Sequence, residues 1–336
     1  MKLKNCILGI ILYLILGTPV FPADENPLKI TGCVEQPLSL TLKDMEKFEQ
    51  SEIQFTDVLN NGEFRGVFAC RGVSLKTLLT LSGIKKTEPD FNKPVDLAVV
   101  VKNTQKDKAI LSWGEIFFKN PDRVLVVLSA TPVFPHKGID HFKDKAAYER
   151  MIQTLNRSLV FPRLVVSGDL FSDRCIESVS EIRVVDLKPK VDGQKSPSVS
   201  SEQFKIIGPG ISPLVTTELP EFPGRHIRAH VVGEGRGYHG THTFEGISLT
   251  DLLNSSKARF DINSVFMISA PDAYRSLISY GELFLNPHGN RILITDKVDE
   301  KEWKNGGRFI LVLPDDLMAD REVKAVSRIE IISIPE

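Results

Sequence analysis

The chain has 336 residues, 42 Lys and Arg against 43 Asp and Glu, a formal net charge of -1, 42% hydrophobic residues and 25% charged residues. That length allows two domains, each with a core large enough to stand without disulfides. The balanced charge offers no basic face or tail, which excludes nucleic acid as an expected partner.

The first element is MKLKNCILGIILYLILGTPVFPADEN. Lys2 and Lys4 precede an apolar run from Cys6 to Gly17, shorter than the roughly 20 residues a spanning helix needs, and Ala23 follows. This order reads as a secretory signal peptide over residues 1–23. It predicts an exported protein, periplasmic in a bacterium or secreted, with no stable membrane span after cleavage. Phe21 stands where signal cleavage favours a small residue, so an uncleaved anchor is the alternative. Cys6 leaves with the signal, and Cys33, Cys70 and Cys175 remain at wide spacing with no CxxC or zinc-type pattern. A bridge among these three is left open.

In chain order, residues 96–101, 123–128, 163–166 and 181–186 are short β-branched runs of strand length. Gly72 is expected to supply a flexible turn and Ser74 to cap a short helix that buries Leu75, Leu78 and Leu79. Ser112 and Glu115 fit a capping box. The same signals return later as Gly246, Ser248, Leu249, Leu252 and Leu253, and as Ser279 and Glu282.

Self-comparison explains the recurrence. LVVSGDLFSDRCIESVSEIRVV (164–185) aligns without gaps to LVLPDDLMADREVKAVSRIEII (311–332), with nine of 22 positions identical. KITGCVEQPL matches KIIGPGISPL, RGVSLKTLL matches EGISLTDLL, and SWGEIFF matches SYGELFL, in the same order. A tandem duplication follows, with domains at 27–186 and 203–336 and a Pro-, Ser- and Lys-rich linker at 187–202. The expected fold class is α+β, two tandem mixed domains of short strands and short helices.

Several polar residues are candidates for function. Glu115 and Glu282 are explained by capping. Asp169, Asp173 and Arg174 recur as Asp316, Asp320 and Arg321, which favours a turn tied by charge-assisted hydrogen bonds. Four of the seven histidines, His226, His230, His239 and His242, crowd into RHIRAHVVGEGRGYHGTHTF. On a strand His226 and His230 share a face. Converging imidazoles can ligate a transition metal or, with Arg225, Arg228 and Arg236, an anion; a solvated polar loop is the plain alternative. A smaller cluster, His136, Lys137, Asp140 and His141, lies in the irregular stretch 129–162, the kind of insertion that lines binding sites, with a polar surface loop as the equal alternative. Cys70 aligns with Phe244, which predicts a buried apolar position rather than a reactive thiol.

LKITGCVEQPLSLTLKDMEKF, RGVSLKTLL, SWGEIFF and the closing strand pair resemble the oxidoreductase molybdopterin-binding domain, the fold of sulfite oxidases. Gly32, Val34, Pro37, Leu38, Leu40 and Leu42 fit its opening, while Gly72, Val73, Leu75, Leu78 and Leu79 fit its helix. In the second copy Gly246, Leu249, Leu252 and Leu253 fit the helix, and Pro314, Val323, Lys324 and Ile329 the close. The resemblance implies molybdopterin as a cofactor, with molybdenum held by one cysteine thiolate a short way before the helix-opening glycine. That place holds Asp57 to Gly62 in one copy and Val231 to Arg236 in the other, without a cysteine. The family also carries an arginine before the closing strand that can meet an oxyanion; Arg163 matches it, and Ile310 stands in the second copy. The cofactor-binding candidates are therefore His136, Lys137, His141, Arg163, Arg236, His239 and His242. The expectation is a non-catalytic derivative that binds a small molecule or a periplasmic redox partner. An active molybdopterin-dependent oxidoreductase with unusual metal ligation is the alternative.

Overall fold

The structure, a computed structural model, describes residues 26–88, 90–188, 200–220, 223–233, 237–303 and 306–335. The signal segment 1–23, residues 189–199 of the linker and Arg236 lie outside the described residues. The chain is a mixed assembly of strands with few helices.

The first half begins with β1 (Leu28–Gly32), β2 (Leu38–Leu40) and helix α1 (Leu42–Met45), followed by the hairpin β3 (Ser51–Val58) and β4 (Phe64–Ser74). Helix α2 (Leu75–Ser82), β5 (Leu97–Asn103), β6 (Lys108–Ser112) and α3 (Trp113–Phe117) come next. It closes with β7 (Val124–Pro132), α4 (Lys145–Leu155), β8 (Arg163–Val166) and β9 (Val179–Asp186). The second half runs β10 (Phe204–Ile207), β11 (Leu214–Thr216), β12 (Arg225–Gly233), β13 (Gly237–Ser248), α5 (Leu249–Ser255), β14 (Ser264–Ser269) and β15 (Arg275–Ser279). After a π-helical turn at Gly281–Leu285 it ends with β16 (Leu293–Val298), β17 (Lys301–Glu302), β18 (Ile310–Val312) and β19 (Arg328–Ser333).

Each half builds two sheets. One has the order β2-β1-β9-β5-β6 in the first half and β11-β10-β19-β14-β15 in the second. The other is β3-β4-β7-β8 in the first half, and β12-β13-β16 with β17 and β18 both paired to β16 in the second. Leu75, Leu78 and Leu79 of α2 are buried against Val99 and Val126, and Leu249, Leu252 and Leu253 of α5 are buried with Phe266 and Ile294. The helix stripe seen in the sequence is thus the face that covers the core of each half.

The local reasons differ from expectation at two pairs of residues. Gly72 and Gly246 do not loosen a turn. Each sits mid-strand at a register shift, where an added Cβ would run into the backbone of the neighbouring strand, at Val126–Val127 and Ile294–Thr295 respectively. Glycine is needed there for close backbone approach. Ser74 and Ser248 do not cap their helices: Ser74 Oγ donates to Pro121 O, and Ser248 Oγ bonds with Thr250 Oγ1.

Strand β5 is buried at Leu97, Ala98, Val99, Val100 and Val101, so both faces are covered. One face meets its own core. The other, with Ala98 and Val100 beside Ile110 of β6, packs on Val265, Met267 and Leu277 of the second half. That double burial is why the sequence reads as a continuous apolar run instead of alternating.

Buried charge crosses the same contact. Ser112 and Glu115 form their capping box, and Ser279 and Glu282 exchange the matching bonds. Arg174 binds Asp169 through Nε and Nη2, binds Glu115 at 2.9 and 3.0 Å, and donates to Ser279 Oγ of the other half at 3.1 Å. Arg321 mirrors it on Asp316, Glu282 and Ser112. Ser112 Oγ also donates to Glu282 Oε2 at 2.6 Å. The two guanidinium groups lie against Gly281 and Gly114, where no Cβ fits.

The mirror is imperfect at Lys119, which stands 3.8 Å from Glu282 Oε1; Asn286 takes the aligned place in SYGELFLN. Burial raises both glutamates. For Glu282 the charges of Arg321 and Lys119 overcome it and hold the carboxyl below its usual range. For Glu115 burial prevails over Arg174, and the charge of Glu282 adds to the rise. Among ions this buried, losing one partner costs about 3–5 kcal/mol, because the other is left uncompensated. Gly281→Ala, which drives a methyl into Arg174, is expected to cost about 1–3 kcal/mol in urea unfolding, where a Gly→Ala change at a compatible exposed site stabilises by about 0.4–1 kcal/mol.

Candidate functional site

The sheet β3-β4-β7-β8 curls until its two edge strands meet through their side chains. Arg163, at the start of β8, reaches Asp57 near the end of β3, with Nη2 2.5 Å from Oδ2. Asp57 Oδ1 accepts a 2.6 Å bond from Ser172 Oγ, and Arg157 Nη2 lies 3.3 Å from Oδ2. Asp57, Arg163 and Ser172 are all buried, beneath Phe55, Phe68, Cys70 and Val127. Arg163 stands over the Phe55 ring at 5.5 Å. Among the described residues its Nε and Nη1 find no hydrogen-bond partner, nor does Arg157 Nε, although Glu177 Oε1 approaches Arg163 Nη1 to 3.8 Å.

The second half fills the same place with apolar side chains. Gly66 opposite Asp57 and Gly240 opposite Val231 fix the hairpin correspondence, and the aligned block 164–185 with 311–332 extends one residue back to Arg163 and Ile310. Asp57, Arg163 and Ser172 thus correspond to Val231, Ile310 and Ala319. Ile310 and Val231 pack with Ile227, Ala229 and Phe244 in an ordinary apolar cluster. The buried charges of the first half are therefore not a demand of the fold.

A cleft of about 810 Å³ opens beside this cluster. Leu59, Arg65, Arg157, Arg163, Cys175 and Glu177 line it from the first half, and Asp261, Asn263 and Ile334 from the second. Lys108 Nζ, donating to Ile334 O at 2.8 Å, ties the two sides at its edge.

Of the cofactor- and metal-binding candidates singled out in the sequence, Arg163 alone lines this cleft; Asp173 and Cys175, noted there for other reasons, line it as well. His136, Lys137 and His141 are exposed, on the segment leading into α4, and Arg236 is outside the described residues. His226 and His230 do share the outward face of β12. His242, however, pairs with Ala229, whose side chain points to the opposite, buried face, so these three imidazoles do not converge. His239 Nε2 bonds to Gly233 O, His230 Nδ1 to Thr241 Oγ1, and His242 Nδ1 to Asp299 Oδ2 at 2.7 Å. Among the described residues, the ligand-type side chains that do gather are Glu88, Asp96 and Asp186, and Lys86 and Arg275 already pair with Asp96. The sequence reading missed Asp57, Ser172 and Arg157. The signal was present in the repeat: polar residues in one copy stand opposite Val, Ile and Ala in the other.

A thiolate-held molybdenum does not suit these residues. Residues 57–62, the end of β3 and the turn into β4, carry no thiol. Cys70 is fully buried, as its alignment with Phe244 predicts, and burial pushes its thiol up to about 11 against the opposing charge of Arg163. Cys175 lines the cleft, but burial pushes its thiol up to about 12, and its Sγ accepts a bond from Val166 N. Low-pKa thiolates need cationic, partly open surroundings, and neither site supplies them.

No protein-family model matches the chain, and no curated protein matches it. Among solved structures it is similar to the sulfane dehydrogenase SoxCD from Paracoccus pantotrophus, at a TM-score of 0.34 and 12% identity, covering 94% of this chain and 79% of that one. At that level nothing about the fold or activity of this chain follows.

Two outcomes are expected. Asp57→Val alone leaves Arg163 buried without its carboxylate and should cost about 3–5 kcal/mol in chemical denaturation. The triple change Asp57→Val, Arg163→Ile, Ser172→Ala, which copies the second half, should recover most of that loss. Separately, the Asp299 carboxylate raises the His242 pKa above its ordinary 6.5. The pair therefore stabilises below that value and is lost as pH rises through the raised one. An NMR titration should show His242 titrating above 6.5 and returning towards it in Asp299→Asn.

Proposed function

We propose that this is an exported, non-catalytic derivative of the molybdopterin-binding, sulfite-oxidase-like scaffold, built from two tandem copies, and that its first copy binds a small ligand in the Arg163 cleft. The observation that carries this reading is the buried Asp57–Arg163–Ser172 cluster. Burying charge is costly, and the second half solves the same packing problem with Val231, Ile310 and Ala319. A costly group kept beside a cleft, where the fold can do without it, points to use in binding. The absence of a thiol at 57–62 supports a binding role over redox catalysis. A periplasmic redox partner would then be a docking protein rather than an electron acceptor for this chain.

The test is elemental analysis of the protein purified from its native compartment, joined to a thermal-shift screen of small polar metabolites. The expected result is no stoichiometric molybdenum, together with a stabilising ligand whose effect is lost in Arg157→Ala. Stoichiometric molybdenum that co-purifies with pterin would overturn the non-catalytic reading and establish an active molybdopterin oxidoreductase with unusual ligation.

A further inference from the structure

The chemistry of the cleft narrows its ligand. Five cationic and four acidic side chains line it, so it is close to neutral and both signs are present. All five cations and three of the acids, Asp107, Asp173 and Glu177, stand on the first-half side, while Asp261 is the one charged residue that lines the cleft from the second half. Arg163 is 1% exposed and among the described residues keeps Nε and Nη1 without hydrogen-bond partners, as Arg157 keeps its Nε. Asp261 is exposed; its Oδ1 accepts from Asn263 N at 2.9 Å and Ser264 Oγ at 3.3 Å, and its Oδ2 enters no hydrogen bond among the described residues.

A purely anionic ligand would find the open nitrogens of Arg157 and Arg163 but would face Asp261 across the cleft with nothing to answer that carboxylate. A purely cationic one would meet three guanidinium groups. A volume of about 810 Å³ also suits an organic molecule rather than a bare inorganic oxyanion. We propose that the ligand is a small organic zwitterion whose acid group lies toward Arg157 and Arg163 and whose ammonium lies toward Asp261, so that it bridges the two halves of the chain. This rests on the reading of the cleft as a ligand site. Complementarity of both signs gives the selectivity, because a molecule lacking the ammonium leaves Asp261 unanswered.

Isothermal titration of the full chain tests it with two matched pairs: taurine against isethionate, and β-alanine against 3-hydroxypropionate. Within each pair the acid group is shared and a hydroxyl replaces the amine. The zwitterions are expected to bind at least about tenfold more tightly, which is about 1.4 kcal/mol. Asp261→Asn, at an exposed position that the fold tolerates, should erase that advantage and leave the amine-free compounds unchanged. Equal affinity within each pair, or no effect of Asp261→Asn, overturns the zwitterion assignment and leaves the cleft a ligand site. Binding by none of the four to the folded protein overturns the zwitterion assignment; if the thermal-shift screen is also silent, the ligand-site reading falls with it.

Discussion

The structure depends on two buried arginines that cross between the halves. Arg174 is bound by Asp169 and Glu115 of its own half and Ser279 of the other, and Arg321 by Asp316, Glu282 and Ser112. A guanidinium removed from water needs nearly all its donors answered: Arg174 finds Asp169, Glu115 and Ile110 O in its own half and adds Ser279 across the contact, while Arg321 uses Ser112 of the first half as a hydrogen-bond partner. The apolar faces of β5 and β14 pack together in the same contact. The same 3₁₀ turn that delivers Arg174 to the interface, Ser172–Arg174, delivers Ser172 to Asp57. The interface and the cleft cluster therefore share one short piece of backbone, and what fixes one fixes the other.

Against that shared frame, the differences between the halves carry the functional meaning. Features found twice, the Arg–Glu–Ser crossing and the glycines under Val126 and Ile294, are what the architecture requires. Features found once are free to serve something else. The curl of the first half encloses an ion cluster and opens to a cleft, whereas that of the second encloses Ile227, Phe244, Ile310 and Val312. The histidine hairpin also belongs to one half, yet its side chains satisfy each other and the local backbone: His239 on Gly233 O, His242 on Asp299. It reads as a polar surface on a strand pair more than as a converging site.

Much of this was legible in the sequence, and the failures have physical causes. The capping boxes at Ser112 and Ser279 were visible because their partners lie three residues apart, and so was the Arg174–Asp169 tie, five residues apart. That the same serines and arginines also cross between the halves was not visible, since the partners are 105 and 209 residues away. In the sequence Gly72 looks like a source of local freedom; its requirement comes from the backbone of β7. Helix α4 gives little signal within the stretch 129–162, because its sequence KAAYERMIQTL leaves only Leu155 buried. Arg163 was found through a family resemblance, but Asp57, 106 residues earlier, became its partner only when the sheet curled.

The central claim is that the buried arginine of the first half is kept for a ligand while those at the interface are kept for the fold. Nitrogen-15 NMR of the arginine Nε–H groups measures this directly during titration with a zwitterion. The account predicts that the Arg163 and Arg157 signals move together and saturate with one ligand per chain, while Arg174 and Arg321 stay in place. Signals of Arg163 and Arg157 that stay fixed while the ligand binds elsewhere on the chain would contradict it.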